Sequence, residues 1–584
     1  MRQAPLIPLL LMCLSGASPT IQAQPVGSLD LNRVATTQDL IFRLIGSVGD
    51  GSAGVPVAGG FDLDNDGLND FAMANFRAAP LSRAEAGQVF LVFGDGSIGG
   101  QIDTAAVHPR VLSILGDQAN EHAGSEIWMA DVTGDGLGDL IICRQDYTPP
   151  DRVRAGALTL IPGQTLLRTL AATGQGIDLR TPPPGVEIVT ILGAMAGSRL
   201  CIWARSGDVT GDGIDDLLVG ADREPSHGES DSGAAYLFRG GSHLQSSQTI
   251  DLANFGAVIA GHVARIRPPT GSSNFHFGAT VQIADLDGNG SAEVLIAAAL
   301  NRAGAGIGGG EGSGGAPDGT LYIAWDDNFA GNWIPAPGTA LDFVVTQGPG
   351  GHSSINGFAG RNDVFGEEIL GGLDYDDDGH ADLFVGDLTA DGWGGVVRNN
   401  AGTGHVIYHA QGLKGHDFDL QNGPFPPGFS MSTFIGPTPG AISGDTAMHG
   451  DFNGDGIADL AFSSPHDSPF GRINAGTLHI VLGQTGPWPA ITDLAVANFP
   501  DPALIRIVEI YGAKGNGAGG DSGDTLSYSG AYGEMNGDGI SDIITNEMEG
   551  NGTAPAAIDV GNLLLIDMRR VLDRFFTDGF ESPD

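Results

Sequence analysis

DLDNDGLND, residues 62–70, places Asp at its first, third, fifth and ninth positions and Gly at its sixth. The pattern returns six more times: DVTGDGLGD from Asp131, DVTGDGIDD from Asp208, DLDGNGSAE from Asp285, DYDDDGHAD from Asp374, DFNGDGIAD from Asp451 and EMNGDGISD from Glu534. Successive copies begin about 79 residues apart on average, and a repeat of that length governs the architecture before any local propensity does. Each copy keeps the same company. An apolar run follows at once, such as LIIC from Leu140 or LLVG from Leu217. A second run follows a Gly, as in GQVFLVFG from Gly87 and GTLHIVLG from Gly476. A third comes later, as in VTILG from Val189 and IVEIYG from Ile507, and a further run leads into the loop, as in IWMA before Asp131. These are strand lengths, rich in β-branched and aromatic residues and bounded by Gly. Four strands in each of seven units predict an all-β fold, a seven-bladed β-propeller of four-stranded antiparallel blades. IFRLIG, residues 41–46, stands before the first loop without a unit of its own, and the last unit lacks its final run after NLLLID. Residues 41–46 are therefore expected to supply the outer strand of the last blade and close the ring.

The loops carry the chemistry. Positions 1, 3, 5 and 9 offer side-chain oxygens: Asp62, Asp64, Asp66 and Asp70; Asp131, Thr133, Asp135 and Asp139; Asp208, Thr210, Asp212 and Asp216; Asp285, Asp287, Asn289 and Glu293; Asp374, Asp376, Asp378 and Asp382; Asp451, Asn453, Asp455 and Asp459; Glu534, Asn536, Asp538 and Asp542. Position 7 would add a backbone carbonyl, from Leu68, Leu137, Ile214, Ser291, His380, Ile457 and Ile540. Gly at position 6 permits the sharp turn that brings the oxygens together. Four or five oxygens, several of them carboxylates, suit Ca²⁺, up to seven ions in all, better than Mg²⁺. Zinc is disfavoured without His or Cys side chains at these positions. The twelfth position is never the bidentate Glu of a helix-flanked calcium loop, and a strand follows instead of a helix. The loops at Asp62 and Asp374 have four carboxylates each and are the strongest candidates.

Composition sets the surroundings. The 584 residues include 94 Gly, 70 Asp+Glu and 27 Lys+Arg, for a formal charge of −43. So acidic a chain is disfavoured as a partner of nucleic acid, whose phosphates need a basic face, and at anionic membranes. Residues 1–23 read as a secretory signal, with Arg2 ahead of a short apolar run too brief to span a bilayer. The expected organisation is a signal at 1–23, the propeller over 24–570 and a tail at 571–584. Direct membrane insertion is not expected. Cys143 and Cys201 remain in the mature chain, and pairing or two separate buried thiols fit the sequence equally.

These features resemble the FG-GAP repeats of the integrin alpha-chain propeller and the Asp-rich repeats of secreted bacterial proteins. The name-giving pair occurs as Phe277-Gly278 and Phe365-Gly366, with weaker versions at Ala123-Gly124 and Ser443-Gly444; Ala196-Gly197 and Ser522-Gly523 lie eleven residues before their loops. The resemblance implies calcium at the loops and an extracellular protein or glycan as partner. The ending DGFE, residues 578–581, is similar to tails of exported bacterial proteins and points to a bacterial source.

Evidence for catalysis is thin. Gly520-Asp521-Ser522-Gly523 matches the serine-protease nucleophile loop, but the surrounding run is Gly-rich and the repeat offset accounts for it. The histidines are scattered without metal spacing. Trp203, Trp325, Trp333, Trp393 and Trp488 could stack on sugars, though core or rim packing is the commoner use. Inserts from Arg302, Gly348 and Ala513 offer a binding face. The expected function is binding or adhesion outside the cell, not catalysis; a hydrolase or lyase of extracellular polymers and a structural surface component are the alternatives.

Overall fold

A computed structural model describes residues 26–33, 39–46, 53–254, 262–299, 319–325, 341–347, 351–357, 363–517, 521–551 and 559–577. The leader, Trp333, most of the insert from Arg302, parts of those from Gly348 and Ala513, and the last seven residues lie outside this set. Seven sheets follow one another around a ring. Blade 1 runs Ala53–Phe61, Asp70–Asn75, Gln88–Val92 and Val111–Leu115, each antiparallel to the one before. Blades 2 to 7 begin with Ala123–Ala130, Ala204–Gly207, Thr280–Ala284, Phe365–Leu373, Ala447–Gly450 and Leu526–Gly533. Among the described residues two α-helices interrupt the pattern, Thr165–Ala172 and Met568–Thr577, each after the third strand of its blade. No described helix is long and apolar enough to cross a membrane.

The second and third strands of each blade are buried on both faces, and their period-two alternation assigns each face to a neighbour. In blade 2, Leu140 and Ile142 pack with Ala72, Val89 and Leu91 of blade 1. Ile141 and Cys143 pack with Leu217, Val219 and Tyr236 of blade 3. The hydrophobic core is thus a set of interfaces between blades, so no blade buries its apolar faces alone. Cys143 and Cys201 form a disulfide that ties blade 2 to the segment entering blade 3.

Each sheet has five strands, one more than the four expected. The extra strand lies at the outer edge, parallel to the fourth strand. It comes from the next blade, from the stretch between that blade's third and fourth strands: Ile177–Asp178 pairs with Val111–Leu115, and Gln248–Asp251 with Val189–Leu192. The sequence reading took these two to four residues as loop because they are too short to show a strand period.

Ile41–Ile45 pairs antiparallel with Asn562–Ile566 and is the fourth strand of blade 7. Gly27–Asp30 pairs in parallel with Ile507–Tyr511 as the fifth strand of blade 6. Two N-terminal strands therefore join the two last blades.

Candidate metal loops and axial channel

Every candidate loop is the connection between the first and second strands of its blade, so all seven share one face of the ring. Their folding is local and repetitive. The position 1 carboxylate accepts the position 6 Gly amide: Gly67 to Asp62 Oδ2 at 2.8 Å, Gly136 to Asp131 at 2.8 Å, Gly213 to Asp208 at 2.7 Å, Gly290 to Asp285 at 2.9 Å, Gly379 to Asp374 at 2.7 Å and Gly456 to Asp451 at 2.9 Å. The longer Glu534 instead accepts amides from Asn536, Gly537 and Asp538. Position 5 accepts the amide of position 7 in all seven loops, at 3.0 Å from Leu68 to Asp66 and from Leu137 to Asp135, 3.2 Å from Ile214 to Asp212, 2.8 Å from Ser291 to Asn289, 2.9 Å from His380 to Asp378, 3.0 Å from Ile457 to Asp455 and 2.9 Å from Ile540 to Asp538. The His380 ring stacks on His409, 3.7 Å between centroids.

Position 4 adopts the left-handed conformation throughout, whether it is Gly or Asn65 (φ 66°) or Asp377 (φ 55°). Gly, Asn and Asp are the residues that enter that region at least cost. The sequence pattern left this position open, yet its composition already carried the signal.

Position 9 is an anchor. Asp70, Asp139, Asp216, Glu293, Asp382, Asp459 and Asp542 are fully buried or nearly so. One oxygen of Asp70 accepts the Leu63 amide at 2.8 Å and the other the Gly94 amide at 2.9 Å, beyond the third strand. Asp459 repeats this with Phe452 at 2.9 Å and Gly483 at 2.7 Å. Burial raises these carboxyls, Asp70, Asp459 and Asp542 to about 8 and Asp139, Asp216 and Asp382 to about 7, with neighbouring loop carboxylates adding to the rise.

Three loops bring three carboxylates within 4.8 Å of one another: Asp62, Asp64 and Asp66; Asp285, Asp287 and Glu293; Asp374, Asp376 and Asp382. These groups could hold metal ions. The other four loops have neutral Thr133, Thr210, Asn453 or Asn536 at position 3, which lowers their charge but keeps an oxygen there. Basic side chains from neighbouring segments compete at several sites. Arg168 binds Asp64 at 3.0 Å, Lys414 binds Asp287 at 3.2 Å and Arg239 binds Asp212 at 2.6 Å. The Asp374 loop has no such ion pair among the described residues, and Asp376 Oδ1 is buried without a hydrogen-bond partner. It is the best-formed site for a cation.

The FG-GAP position itself is a backbone requirement. Its second residue has positive φ in every blade: Gly54, Gly124, Gly278, Gly366 and Gly444, but also Cys201 (φ 69°) and Ser527 (φ 65°). Leu200-Cys201 and Leu526-Ser527 therefore hold this place in blades 3 and 7, and Ala196-Gly197 and Ser522-Gly523 do not. Ser522 Oγ donates to Asp559, a carboxylate and not the histidine a serine nucleophile needs. The Gly before each third strand passes close to the FG-GAP residue; a Cβ on Gly233 would collide with the backbone of Phe277.

A second repeated device was missed in the sequence. Arg-x-x-Ala-Gly precedes the third strand in blades 1, 2, 5 and 6, beginning at Arg83, Arg152, Arg398 and Arg472. Each Arg grips the Asp that ends the blade's parallel fifth strand: Arg83–Asp178 at 2.8 Å, Arg152–Asp251 at 2.6 Å, Arg398–Asp493 at 2.9 Å and Arg472–Asp30 at 2.7 Å. Blade 3 uses Arg265 and Arg267 on Asp342 instead.

The first strands of all seven blades line an axial channel. Gly59, Trp128, Arg205, Gln282, Glu368, Ala447 and Gly530, from blades 1 to 7 in turn, are among the residues that line a cavity of about 390 Å³. A wider cavity of about 780 Å³ opens toward the face opposite the metal loops, lined by Trp203, Glu367, Asp445 and Tyr528 among others. Trp325 and Trp488, by contrast, are core residues.

The FG-GAP repeat model matches residues 204–238, the first three strands of blade 3 with their Asp-rich loop. Integrin alpha-PS2 of Drosophila melanogaster is 31% identical over 131 residues, 22% of this chain. That stretch is 9% of the integrin's own length. Among solved structures, an exotype rhamnogalacturonan lyase, YesX, aligns over 90% of this chain and 75% of its own at 10% identity, with a TM-score of 0.31, too low to carry anything over. The class is thus settled by fold and loop together: a seven-bladed β-propeller. Within that class, this chain carries the FG-GAP repeat and is similar to integrin alpha chains.

Proposed function

We propose that this protein is a secreted, calcium-loaded propeller that binds or adheres to an extracellular protein or glycan. The observation that carries the calcium assignment is the Asp374 loop, where three carboxylates converge without a Lys or Arg ion pair among the described residues. Hard oxygen donors at this density suit Ca²⁺. The remaining loops, at Asp62, Asp131, Asp208, Asp285, Asp451 and Glu534, would take up to six more ions, with position 7 carbonyls completing the set. Calcium would tie the first strand of each blade to the second and stiffen the ring. Extracellular placement is supported by the leader-like residues 1–23 and the integrin similarity; the binding role is supported by that similarity and by the open channel mouth. Calcium removal tests the reading. EDTA should lower Tm, and elemental analysis should find bound calcium. An unchanged melt with no bound metal would refute it. Retention of matrix proteins or polysaccharides in calcium, without product release, is the expected result of a pull-down. Released products would favour the hydrolase or lyase alternative instead.

A further inference from the structure

One half of the axial channel already cages a cation. Arg205 binds Glu126 at 2.7 Å, and its guanidinium lies 4.4 Å from the ring centroid of Trp128 and 4.9 Å from that of Trp203. The arrangement combines an ion pair with cation–π stacking. The opposite half has acids that form no ion pair among the described residues, although Arg205 partly relieves Glu368 across the channel. Blades 5 and 6 bring Glu367, Glu368 and Asp445 to the wall of the 780 Å³ cavity, beside Tyr528. Asp445 keeps 9% of its surface, and its Oδ2 has no hydrogen-bond partner among the described residues. A buried acceptor left this way is costly and needs a reason. Of the other basic groups on this wall, Arg199 binds Asp222 at 2.6 Å, His276 binds the same carboxylate at 3.1 Å and Arg77 stacks on Phe76, 5.3 Å from its ring centroid; Arg223 also lines the cavity, and among the described residues none of the four forms an ion pair with Asp445, Glu367 or Glu368.

The occupant is larger than a bare ion. Among the described residues, three carboxylates converge within 4.8 Å of one another only in the Asp-rich loops, not in the channel. The cavity volume falls in the range of small-molecule sites. We propose that Asp445, Glu367 and Glu368 form a binding site for a small organic cation carrying alkylammonium groups, with the Tyr528 ring as one wall. The site is separate from the metal loops and does not depend on them. Burial raises all three acids, Glu367 to about 7 and Glu368 to about 8, with Asp222 adding to the rise at Glu367, Glu126 and Glu367 at Glu368, and Glu367 and Glu368 at Asp445, so an ammonium group among them would restore their ionised forms.

Isothermal titration of the full-length, calcium-saturated protein tests this, with 1,4-diaminobutane as the probe and 1,4-butanediol as its neutral counterpart. The diamine should bind and the diol should not. Asp445→Asn should weaken the diamine by about tenfold or more, the loss expected for one charge-assisted hydrogen bond. Glu367→Gln, at a half-buried position, supplies a second variant if Asp445→Asn does not fold. Absence of diamine binding, equal binding to wild type and variant, or equal binding of diol and diamine would each overturn the proposal. So would binding of a lysine-containing peptide without the diamine, which would make the occupant a protein segment.

Discussion

At the scale of single residues, the loops differ in ways that set which cations they keep. Asp376→Ala removes a buried carboxylate from the cluster that has no Lys or Arg ion pair among the described residues. Elemental analysis should find one calcium fewer, and Tm should fall by part of the shift that EDTA causes. Arg168 is an internal competitor: its guanidinium occupies Asp64 Oδ2 and reaches Asp66 at 3.4 Å. Arg168→Ala should tighten calcium at the Asp62 loop, seen as a lower free-calcium midpoint in a titration followed by melting. Gly233 is a backbone case. Its φ of 87° and its approach to Phe277 leave no room for a methyl group. Gly233→Ala should destabilise by at least about 1–2 kcal/mol from conformation alone, measured by denaturant unfolding.

At the scale of elements, the parallel fifth strands and their Arg clamps hold blade to blade. Arg472→Ala should cost about 1–3 kcal/mol, between exposed and fully buried pairs, because Arg472 also donates to the Ala513 carbonyl at 3.1 Å. Limited proteolysis should then cut first near residues 26–33. The sequence already displayed the seven loops, the four main strands per blade and the role of Ile41–Ile45, since each is either a long periodic run or a dense motif. The fifth strands escaped because two to four residues cannot show alternation, although Ile-Asp or Leu-Asp recurs in them at Asp103, Asp178, Asp251 and Asp342. The channel acids escaped for a different reason. Glu367, Glu368 and Asp445 are distant in sequence from Glu126 and Arg205, and only ring closure makes them neighbours. The oxygens of the loops were legible as types; the capture of one carboxylate by Arg168 and another by Lys414 was not, because both bases come from elsewhere in the chain.

At the scale of the whole molecule, the channel concentrates uncompensated acid on the axis. Glu368 is held at about 8 by burial and by Glu126 and Glu367, against the partial relief of Arg205. Its folded form binds a proton that the unfolded chain has released above the ordinary Glu range near 4.3. Stability from this group is therefore present at low pH and lost as pH rises toward 8. Glu368→Gln should raise Tm at pH 8 and change it little at pH 4, by calorimetry at both. The seam of the ring has its own consequence. Gly27–Asp30 and Ile41–Ile45 pair with Ile507–Tyr511 and Asn562–Ile566. These two strands are thus made more than four hundred residues before their partners, and the circle stays open until residues 562–566 have been added.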